Sequence, residues 1–182
     1  PSRPTVWAFL GSARLHAGDE RGALAALDRA VELGAADATV LRDRGTARSR
    51  TGDHVGARAD FDRALELDPN DAKTLARRAA VRANLDDPDG AIADSERAMA
   101  IDPRLAAAWS GRAFARGKRL KGDDLRLALE DYGRALELDP TSSQTYSHRA
   151  GGEAHPPPAR RGQLHEGHGA GLPEEQLLAG LR

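Results

Sequence analysis

A repeat with a period of 34 residues is the feature that most constrains this chain. Four versions of one segment occur: ALAALDRAVELGA, ARADFDRALELDP, AIADSERAMAIDP and ALEDYGRALELDP. The first three begin 34 residues apart, at Ala23, Ala57 and Ala91, and the fourth begins 37 residues later, at Ala128. A related segment precedes each one, so every unit contains two amphipathic stretches. Such a unit cannot bury its apolar face alone, so the units must stack to form a common core.

Each stretch is predicted to be a helix. Apolar residues recur at helical spacing, as at Ala57, Phe61, Ala64 and Leu65. A glycine between two stretches can adopt the left-handed conformation that ends a helix, and the aspartate after it can cap the next helix. These residues are Gly18, Gly52 and Gly122, followed by Asp19, Asp53 and Asp123. Proline closes three units because it cannot continue a helix, at Pro69, Pro103 and Pro140.

The repeat resembles the tetratricopeptide repeat, a helix–turn–helix unit with a W-x2-L-G-x2-Y opening, an A-x3-F centre and a closing Pro. The matching residues are Trp7, Leu10, Gly11 and Trp109 for the opening, and Ala57 with Phe61 and Ala128 with Tyr132 for the centre. The resemblance covers about residues 4–150. It implies an all-α, right-handed α-solenoid, in which first helices line a concave groove and second helices form the outer wall. A non-repetitive helical bundle is the rival architecture.

The predicted repeat array occupies residues 1–150 and holds four complete units and a truncated fifth. The units run over about 4–37, 38–71, 72–105, 106–142 and, in part, 143–150. Two departures from the repeat pattern predict local differences in structure. The first unit ends in Gly34 and Ala35 without a proline, which predicts a looser join to the second. The fourth has three extra residues around RLKGDD, which predict a longer first helix or a longer turn.

Residues 151–182 form a predicted Gly/Pro/His-rich irregular tail. Gly151 and Gly152 are expected to end the helix that begins the fifth unit, and the prolines at 156–158 to prevent its resumption. Residues 173–182, PEEQLLAGLR, can form a short helix with its leucines on one face, which would cap the end of the solenoid. A frameshift in a GC-rich gene is the alternative explanation of this tail.

The charges separate by helix although the net charge is only −1. The four first helices of the units sum to +12 and the four second helices to −14. If the resemblance holds, the groove is basic and the outer wall is acidic. We therefore expect a partner protein that presents an acidic or carboxylate-bearing peptide segment, which the field would attract.

Two columns of the repeat match in a way that indicates structural ion pairs. Where the second, third and fourth units carry arginine in the first helix and aspartate in the second, the first unit carries Leu10 and Ala26. The pairs predicted from this matching are Arg44–Asp60, Arg78–Asp94 and Arg112–Asp131. Part of the positive charge of the first helices is therefore internal bracing.

The family geometry implies the groove-facing positions. They are Arg42, Thr46, Ser49, Lys73, Arg77, Ala80, Ser110, Phe114 and Lys118. Phe114 is either an apolar anchor for a ligand or an ordinary packing residue. Lys73 and Arg77 match the basic pair of the carboxylate clamp by which some family members bind chaperone C-termini. The other clamp positions hold Ala8, Ser12 and Asp43, and Asp43 would repel a carboxylate, so the complete clamp is absent.

The sequence contains no catalytic constellation. It has no cysteine, no G-x-S-x-G, no phosphate-binding glycine loop and no H-E-x-x-H. His155, His165 and His168 do not have the spacing of a standard metal site. We therefore predict a non-catalytic protein–protein interaction scaffold, with no cofactor and no metal. Its predicted location is the cytoplasm, because the lack of cysteine fits a reducing compartment.

Two other functions stay open. The chain begins at Pro1 without a methionine, which suggests a fragment or a processed product. It could thus be the regulatory or substrate-recruiting arm of an enzyme whose catalytic domain precedes it. A nucleic-acid-binding solenoid is disfavoured because aromatic residues, on which bases stack, make up only 4% of the chain. No apolar run has the length of a membrane span, and the sequence leaves the oligomeric state open.

Overall fold

The computed structural model describes residues 3–153, which fold as nine α-helices without a β-strand. The helices are α1 (Pro4–His16), α2 (Glu20–Glu32), α3 (Ala38–Arg50), α4 (His54–Leu67), α5 (Ala72–Asn84), α6 (Pro88–Ile101), α7 (Ala106–Arg119), α8 (Asp124–Leu138) and α9 (Ser143–Glu153). Consecutive helices pair as α1 with α2, α3 with α4, α5 with α6 and α7 with α8. Each first helix also contacts the next first helix, and α9 packs on α7 and α8. The predicted all-α solenoid is confirmed.

The turns within the units follow the sequence prediction in most places. Gly18, Gly52 and Gly122 have φ angles of 78°, 93° and 55°, in the left-handed region. The side chains of Asp19 and Asp53 each accept a hydrogen bond at 2.9 Å from the backbone N–H three residues later. In the third unit an aspartate at 86, with φ 57°, replaces the glycine, and the next aspartate caps α6.

Asp123 does not cap α8, so that part of the prediction is wrong. Its side chain makes no capping hydrogen bond and lies 3.5 Å from Arg126. The following residue takes the role in the turn, because a carboxylate oxygen of Asp124 accepts a hydrogen bond from the backbone N–H of Lys121 at 2.8 Å. The inserted residues have changed the geometry of this turn.

The three extra residues of the fourth unit are divided among the first helix, the turn and the second helix. α7 has 14 residues where α5 has 13, and α8 has 15 where α6 has 14. The turn 120–123 is one residue longer than the turn 85–87. The two expected outcomes therefore occur together, and the second helix also lengthens.

The join between the first two units is as close as the join between the second and third, although the join between the third and fourth is closer than both. Gly34 has φ 95°, and the N–H of Ala35 donates to the carbonyl of Ala30 at 2.9 Å. Ala35 packs against the core of the first unit, and α2 approaches α3 as closely as α4 approaches α5. A glycine in the left-handed region can close a helix without the help of a proline.

Small residues on the first helices allow the second helices to approach. Gly11 lies against Leu27, and Gly45 lies against the ring of Phe61. A Cβ atom on Gly45 would lie 2.8 Å from a ring carbon of Phe61, which is closer than real contacts allow. The third unit has Ser95 in the column of Phe61, so this column does not carry a large side chain in every unit.

α9 continues through Gly151 and Gly152 to Glu153, so the prediction that these glycines end the helix is wrong. A glycine inside a helix costs only about 1 kcal/mol relative to alanine, and packing of α9 on α7 and α8 can offset that cost. The predicted helix at 173–182, the three prolines and the tail histidines lie outside the described residues. The boundary between the array and the tail stays a prediction.

Candidate functional site

Arginine–aspartate pairs connect the two helices of the second, third and fourth units. Arg78 donates from Nε and Nη2 to the two carboxylate oxygens of Asp94, at 2.7 and 2.6 Å. Arg112 binds Asp131 in the same bidentate way at 2.9 and 2.7 Å, as does Arg44 with Asp60. The structure thus brings together all three predicted pairs. Their aspartates are 2–4% exposed, so these pairs are largely removed from water.

A second arginine reaches each of these aspartates from one helical turn further along the first helix. Arg48 contacts Asp60 at 2.9 Å. The corresponding contacts in the next two units are Arg82 with Asp94 at 3.2 Å and Arg116 with Asp131 at 2.6 Å. Sequence reasoning missed these contacts, although the spacing of four residues from the first arginine places both side chains on one helix face.

A second carboxylate, from the preceding unit, completes each cluster. Asp28, Asp62 and Glu96 lie 3.5, 2.8 and 3.5 Å from Arg44, Arg78 and Arg112, respectively. Burial opposes the charge of these arginines, but their hydrogen bonds to the carboxylates outweigh it and raise the pKa of each guanidinium. We call this set of contacts the arginine–aspartate seam; it joins helices within a unit and joins each unit to the one before.

The seam reduces the charge available for a ligand. Arg48, Arg82 and Arg116 contribute to the summed charge of +12 on the first helices, but they bind buried aspartates. The charge of Arg119 is also not available to a ligand, because Arg119 binds Asp124 at 2.7 Å. The sum over first helices therefore overestimates the positive charge of the surface formed by α1, α3, α5, α7 and α9, which we call the first-helix face.

A cationic pocket of about 360 Å³ lies on the first-helix face between α1, α3 and α5. The predicted residues that line it are Arg42, Thr46, Lys73 and Arg77, together with Asp43 and Arg50. Thr46 is buried and donates its hydroxyl to a backbone carbonyl within α3, so it shapes the wall.

Asp43, which was expected to repel a carboxylate, has its own partners in this pocket. The hydroxyl of Ser12 donates to Asp43 at 2.5 Å, and Arg42 lies 3.4 Å away. Arg42 also binds Asp71 at 3.2 Å. The pKa of Asp71 is lowered even though burial opposes ionisation, because Thr74 and Arg42 donate hydrogen bonds to it. Both carboxylates at the edge of the pocket therefore have hydrogen-bonding partners within the protein.

Lys73 and Arg77 differ from the other cations of α3 and α5. Within residues 3–153, neither side chain forms a hydrogen bond or a salt bridge. Both are exposed, yet Arg77 lies in a concavity between the helices. Burial there lowers the pKa of Arg77, and the charges of Arg42 and Arg50 lower it further. An anion placed beside Arg77 would relieve this repulsion.

A second pocket of about 400 Å³ continues the first-helix face toward α9. It is lined by small residues and one aromatic ring, and Arg77 belongs to both pockets. The predicted residues that it brings together with Arg77 are Ala80, Ser110 and Phe114. Phe114 stacks on His148 with ring centroids 4.9 Å apart, so it packs between helices and also faces the pocket.

Two predicted residues stand apart from both pockets. Ser49 is half-buried on α3 and lines neither of them. Lys118 lies with its Nζ 5.9 Å from the centroid of the Phe114 ring and lines a further groove at the end of the solenoid. The structure therefore brings seven of the nine predicted groove residues into two adjoining pockets.

Residues 3–153 contain no group of three or more metal-ligating side chains placed to hold an ion. Among the same residues, no helix has the length and apolarity needed to cross a bilayer.

Solved structures with the same fold include tetratricopeptide-repeat proteins. YrrB, described as a TPR protein with an unusual peptide-binding site, matches with a TM-score of 0.68 and 19% identity, over 82% of this chain and 75% of its own. MamA from Desulfovibrio magneticus RS-1 gives 0.65 and 23%, over 83% and 84%. The first TPR domain of human RPAP3 gives 0.58 and 26%, over 64% and 90%.

No protein-family model matches the chain, and no curated protein sequence does. The helix pairs of the structure nevertheless follow the repeat of the sequence in phase. The chain is an all-α repeat solenoid with adjoining pockets on the face made by its first helices. More particularly, its fold is that of the tetratricopeptide-repeat proteins.

Proposed function

We propose that the chain is a non-catalytic scaffold that binds an acidic or carboxylate-bearing segment of another protein on its first-helix face. The observation that carries the proposal is the cationic pocket, in which Lys73 and Arg77 lack the carboxylate partners that the seam arginines have. A ligand carboxylate would supply that missing partner, and charge-assisted hydrogen bonds to arginine are among the stronger polar contacts.

The known structures support a peptide ligand in general. One neighbour is described as having an unusual peptide-binding site, and another is a first TPR of RPAP3 bound to the HSP90 peptide SRMEEVD. That peptide carries two glutamates and a C-terminal aspartate. The present chain lacks the full clamp, but Ser12 and Arg42 bind Asp43, and the cations of the pocket outnumber its carboxylates, so an acidic ligand can approach Lys73 and Arg77.

The second pocket indicates which ligand group would lie beside the ligand carboxylate. Its alanines and Phe114 offer apolar surface, and Arg77 lines both pockets. The proposed ligand therefore has a carboxylate at Lys73 and Arg77 and an apolar side chain against Phe114. Location in the cytoplasm remains part of this proposal.

Binding of a defined peptide to the full chain tests the proposal. The probe is a labelled acidic pentapeptide with two glutamates, a leucine and a C-terminal aspartate, and binding is measured by fluorescence anisotropy. We expect reversal of Lys73 and Arg77 to glutamate to weaken binding at least tenfold, because it removes both ligand cations and adds repulsion. Raising the salt concentration should also weaken binding, because the attraction is electrostatic.

The matched control reverses Arg58 and Arg63, two exposed arginines of α4, to glutamate. This variant has the same change in net charge but leaves the first-helix face intact, so its affinity should stay within about threefold of the parent. Equal losses in both variants would show that only net charge matters. Tighter binding of a single-stranded oligonucleotide than of the peptide at about 50 mM salt would favour the nucleic-acid alternative instead.

A further inference from the structure

The first helix of the solenoid exposes a large aromatic side chain outside both pockets. Phe9 of α1 is 79% exposed, and the next most exposed large apolar residue of the described part of the chain, Val55, is 63% exposed. Phe9 also packs in none of the hydrophobic core clusters of residues 3–153. Single exposed apolar residues are common in proteins, so the position of Phe9 in the repeat decides whether it has a role.

The repeat register places Phe9 on the first-helix face. In the repeat alignment its column holds Asp43, Arg77 and Gly111 in the next three units. Asp43 and Arg77 line the cationic pocket, and Gly111 lines the second pocket. Ser12, three residues after Phe9 and so on the same side of α1, donates its hydroxyl to Asp43 at 2.5 Å. Phe9 is therefore the first member of a row of residues that continues into both pockets.

The chemistry of the first-helix face changes from one helix to the next. Residues 4–13 of α1, PTVWAFLGSA, contain no charged side chain. In contrast, α3 and α5 supply the cations of the cationic pocket, and α7 supplies small residues and Phe114 to the second pocket. A peptide that crosses the face from α1 to α7 would meet an apolar surface, then a cationic pocket, then a second apolar surface.

We propose that Phe9 is a third contact for the ligand of the cationic pocket, and that this ligand is an extended segment with an apolar residue on each side of its acidic group. This inference rests on the proposed function and narrows the class of segment that it admits. An apolar side chain of the ligand would cover the exposed ring of Phe9. Aromatic residues are effective in such contacts because they bury a large area in a few preferred geometries.

The distance between the helices sets the spacing of these ligand residues. The first helices contact one another in order, α1 with α3, α3 with α5 and α5 with α7. Since the axes of packed helices are about 10 Å apart, α1 lies roughly 20 Å from α5, and α5 lies about 10 Å from α7. An extended chain covers about 3.3 Å per residue, so the ligand residue at Phe9 would be about six positions from the acidic residue at Arg77. By the same estimate, the residue at Phe114 would be about three positions away on the other side.

Peptides with and without the residue for Phe9 test the contact in the full chain. Each labelled peptide has one glutamate and a leucine three positions from it on one side. Six positions from the glutamate on the other side it has either phenylalanine or alanine. Both sequence orders are made, because a peptide can cross the face in either direction. Fluorescence anisotropy gives the affinity for the parent, for Phe9→Ala and for the control Val55→Ala, which changes an exposed residue of α4.

We expect the phenylalanine peptide to bind the parent at least fivefold more tightly than the alanine peptide in one of the two orders, because only phenylalanine can cover the ring of Phe9. Phe9→Ala should remove this difference and leave the affinity for the alanine peptide within about twofold of the parent value. Val55→Ala should preserve the difference. Because Phe9 is exposed and alanine favours helices, Phe9→Ala should keep its fold, which circular dichroism verifies.

The remaining outcomes overturn the proposal in distinguishable ways. No advantage of phenylalanine in either order, or an advantage that persists in Phe9→Ala, would show that Phe9 does not contact the ligand. The proposed function would stand in that case if reversal of Lys73 and Arg77 still weakened binding of the alanine peptide. Failure of every peptide to bind would overturn both. A parent that sediments as a dimer, together with a monomeric Phe9→Ala variant, would assign the ring to a contact with a second copy of the chain.

Discussion

Arg77 and Arg78 are neighbours in the sequence but lie in opposite electrostatic environments. Arg78 is held by Asp94 in two hydrogen bonds and by Asp62 in a third, all between 2.6 and 2.8 Å. Arg77 forms no salt bridge within residues 3–153 and lines the cationic pocket instead. Accordingly, the pKa of Arg78 is raised by its carboxylate partners, whereas burial and nearby cations lower that of Arg77.

This difference shows that the direction in which a cation points from its helix decides its role in this fold. Adjacent helix positions differ by about 100° in direction, so one arginine reaches the second helix while the next faces the first-helix face. Asp94 is 3% exposed and can be satisfied only from within the protein. Positions of the seam should therefore govern stability, and positions of the cationic pocket should govern binding.

Breaking the seam should have the largest effect on stability. We expect Asp94→Ala to lower the free energy of unfolding by about 3–5 kcal/mol, because it leaves Arg78 and Arg82 without their buried partner. Urea denaturation followed by circular dichroism measures this. The matched control, Asp62→Ala, removes the more exposed partner of Arg78 and should cost less than about 1 kcal/mol. Similar small losses in both variants would contradict a structural role for the seam.

The close helix contact in the second unit gives the next largest effect. Gly45→Ala should destabilise the protein by about 1–3 kcal/mol, because the new methyl group would lie 2.8 Å from the Phe61 ring. Gly117→Ala is the control, since a Cβ there meets no atom within 4 Å and α7 should gain about 0.5–1 kcal/mol. Thermal unfolding should move the two midpoints in opposite directions. Equal shifts would mean that helix propensity, and not the contact with Phe61, decides both.

The fold could be predicted from the sequence because the same pattern occurs in several repeat units. The period, the helix-ending glycines at 18 and 52 and the closing prolines all agree, so a single irregular residue could not change the assignment. The end of α9 was not predictable in this way. Whether a helix passes Gly151 and Gly152 depends on packing against α7 and α8, which no local signal records.

The candidate site was less predictable for a related reason. The matched columns revealed Arg78 with Asp94, because the first unit lacks both members of the pair. No such absence marks Arg82, since the first unit has Arg14 in that column, and a sum of charges per helix assigned it to the groove. A helical projection with both arginines on one face would have placed it in the seam.

Replacing Arg77 alone tests whether a cation of the cationic pocket contributes to stability. Arg77→Leu should change the free energy of unfolding by no more than roughly 0.5 kcal/mol, because an exposed cation without a carboxylate partner contributes little to folding. Arg78→Leu in the same experiment should be clearly destabilising, because it leaves Asp94 with only Arg82. Measuring both by urea denaturation compares two neighbouring arginines directly. A loss from Arg77→Leu as large as that from Arg78→Leu would show that Arg77 is also a structural residue.

The smallest expected effect concerns pH at the far end of the first-helix face. Burial against Phe114 and Tyr132 lowers the pKa of His148, so the folded state disfavours the charged ring. The unfolded chain therefore binds more protons than the folded one as the pH falls below the ordinary histidine value of about 6.5. The stability contributed by neutral His148 is present above that pH and is lost as the pH falls through the lowered pKa. We expect the unfolding free energy of the parent to decrease more between pH 7.5 and pH 5 than that of His148→Gln, in matched urea titrations. An identical decrease in both proteins would assign the pH dependence to other groups, and a smaller decrease in the parent would reverse the sign inferred for His148.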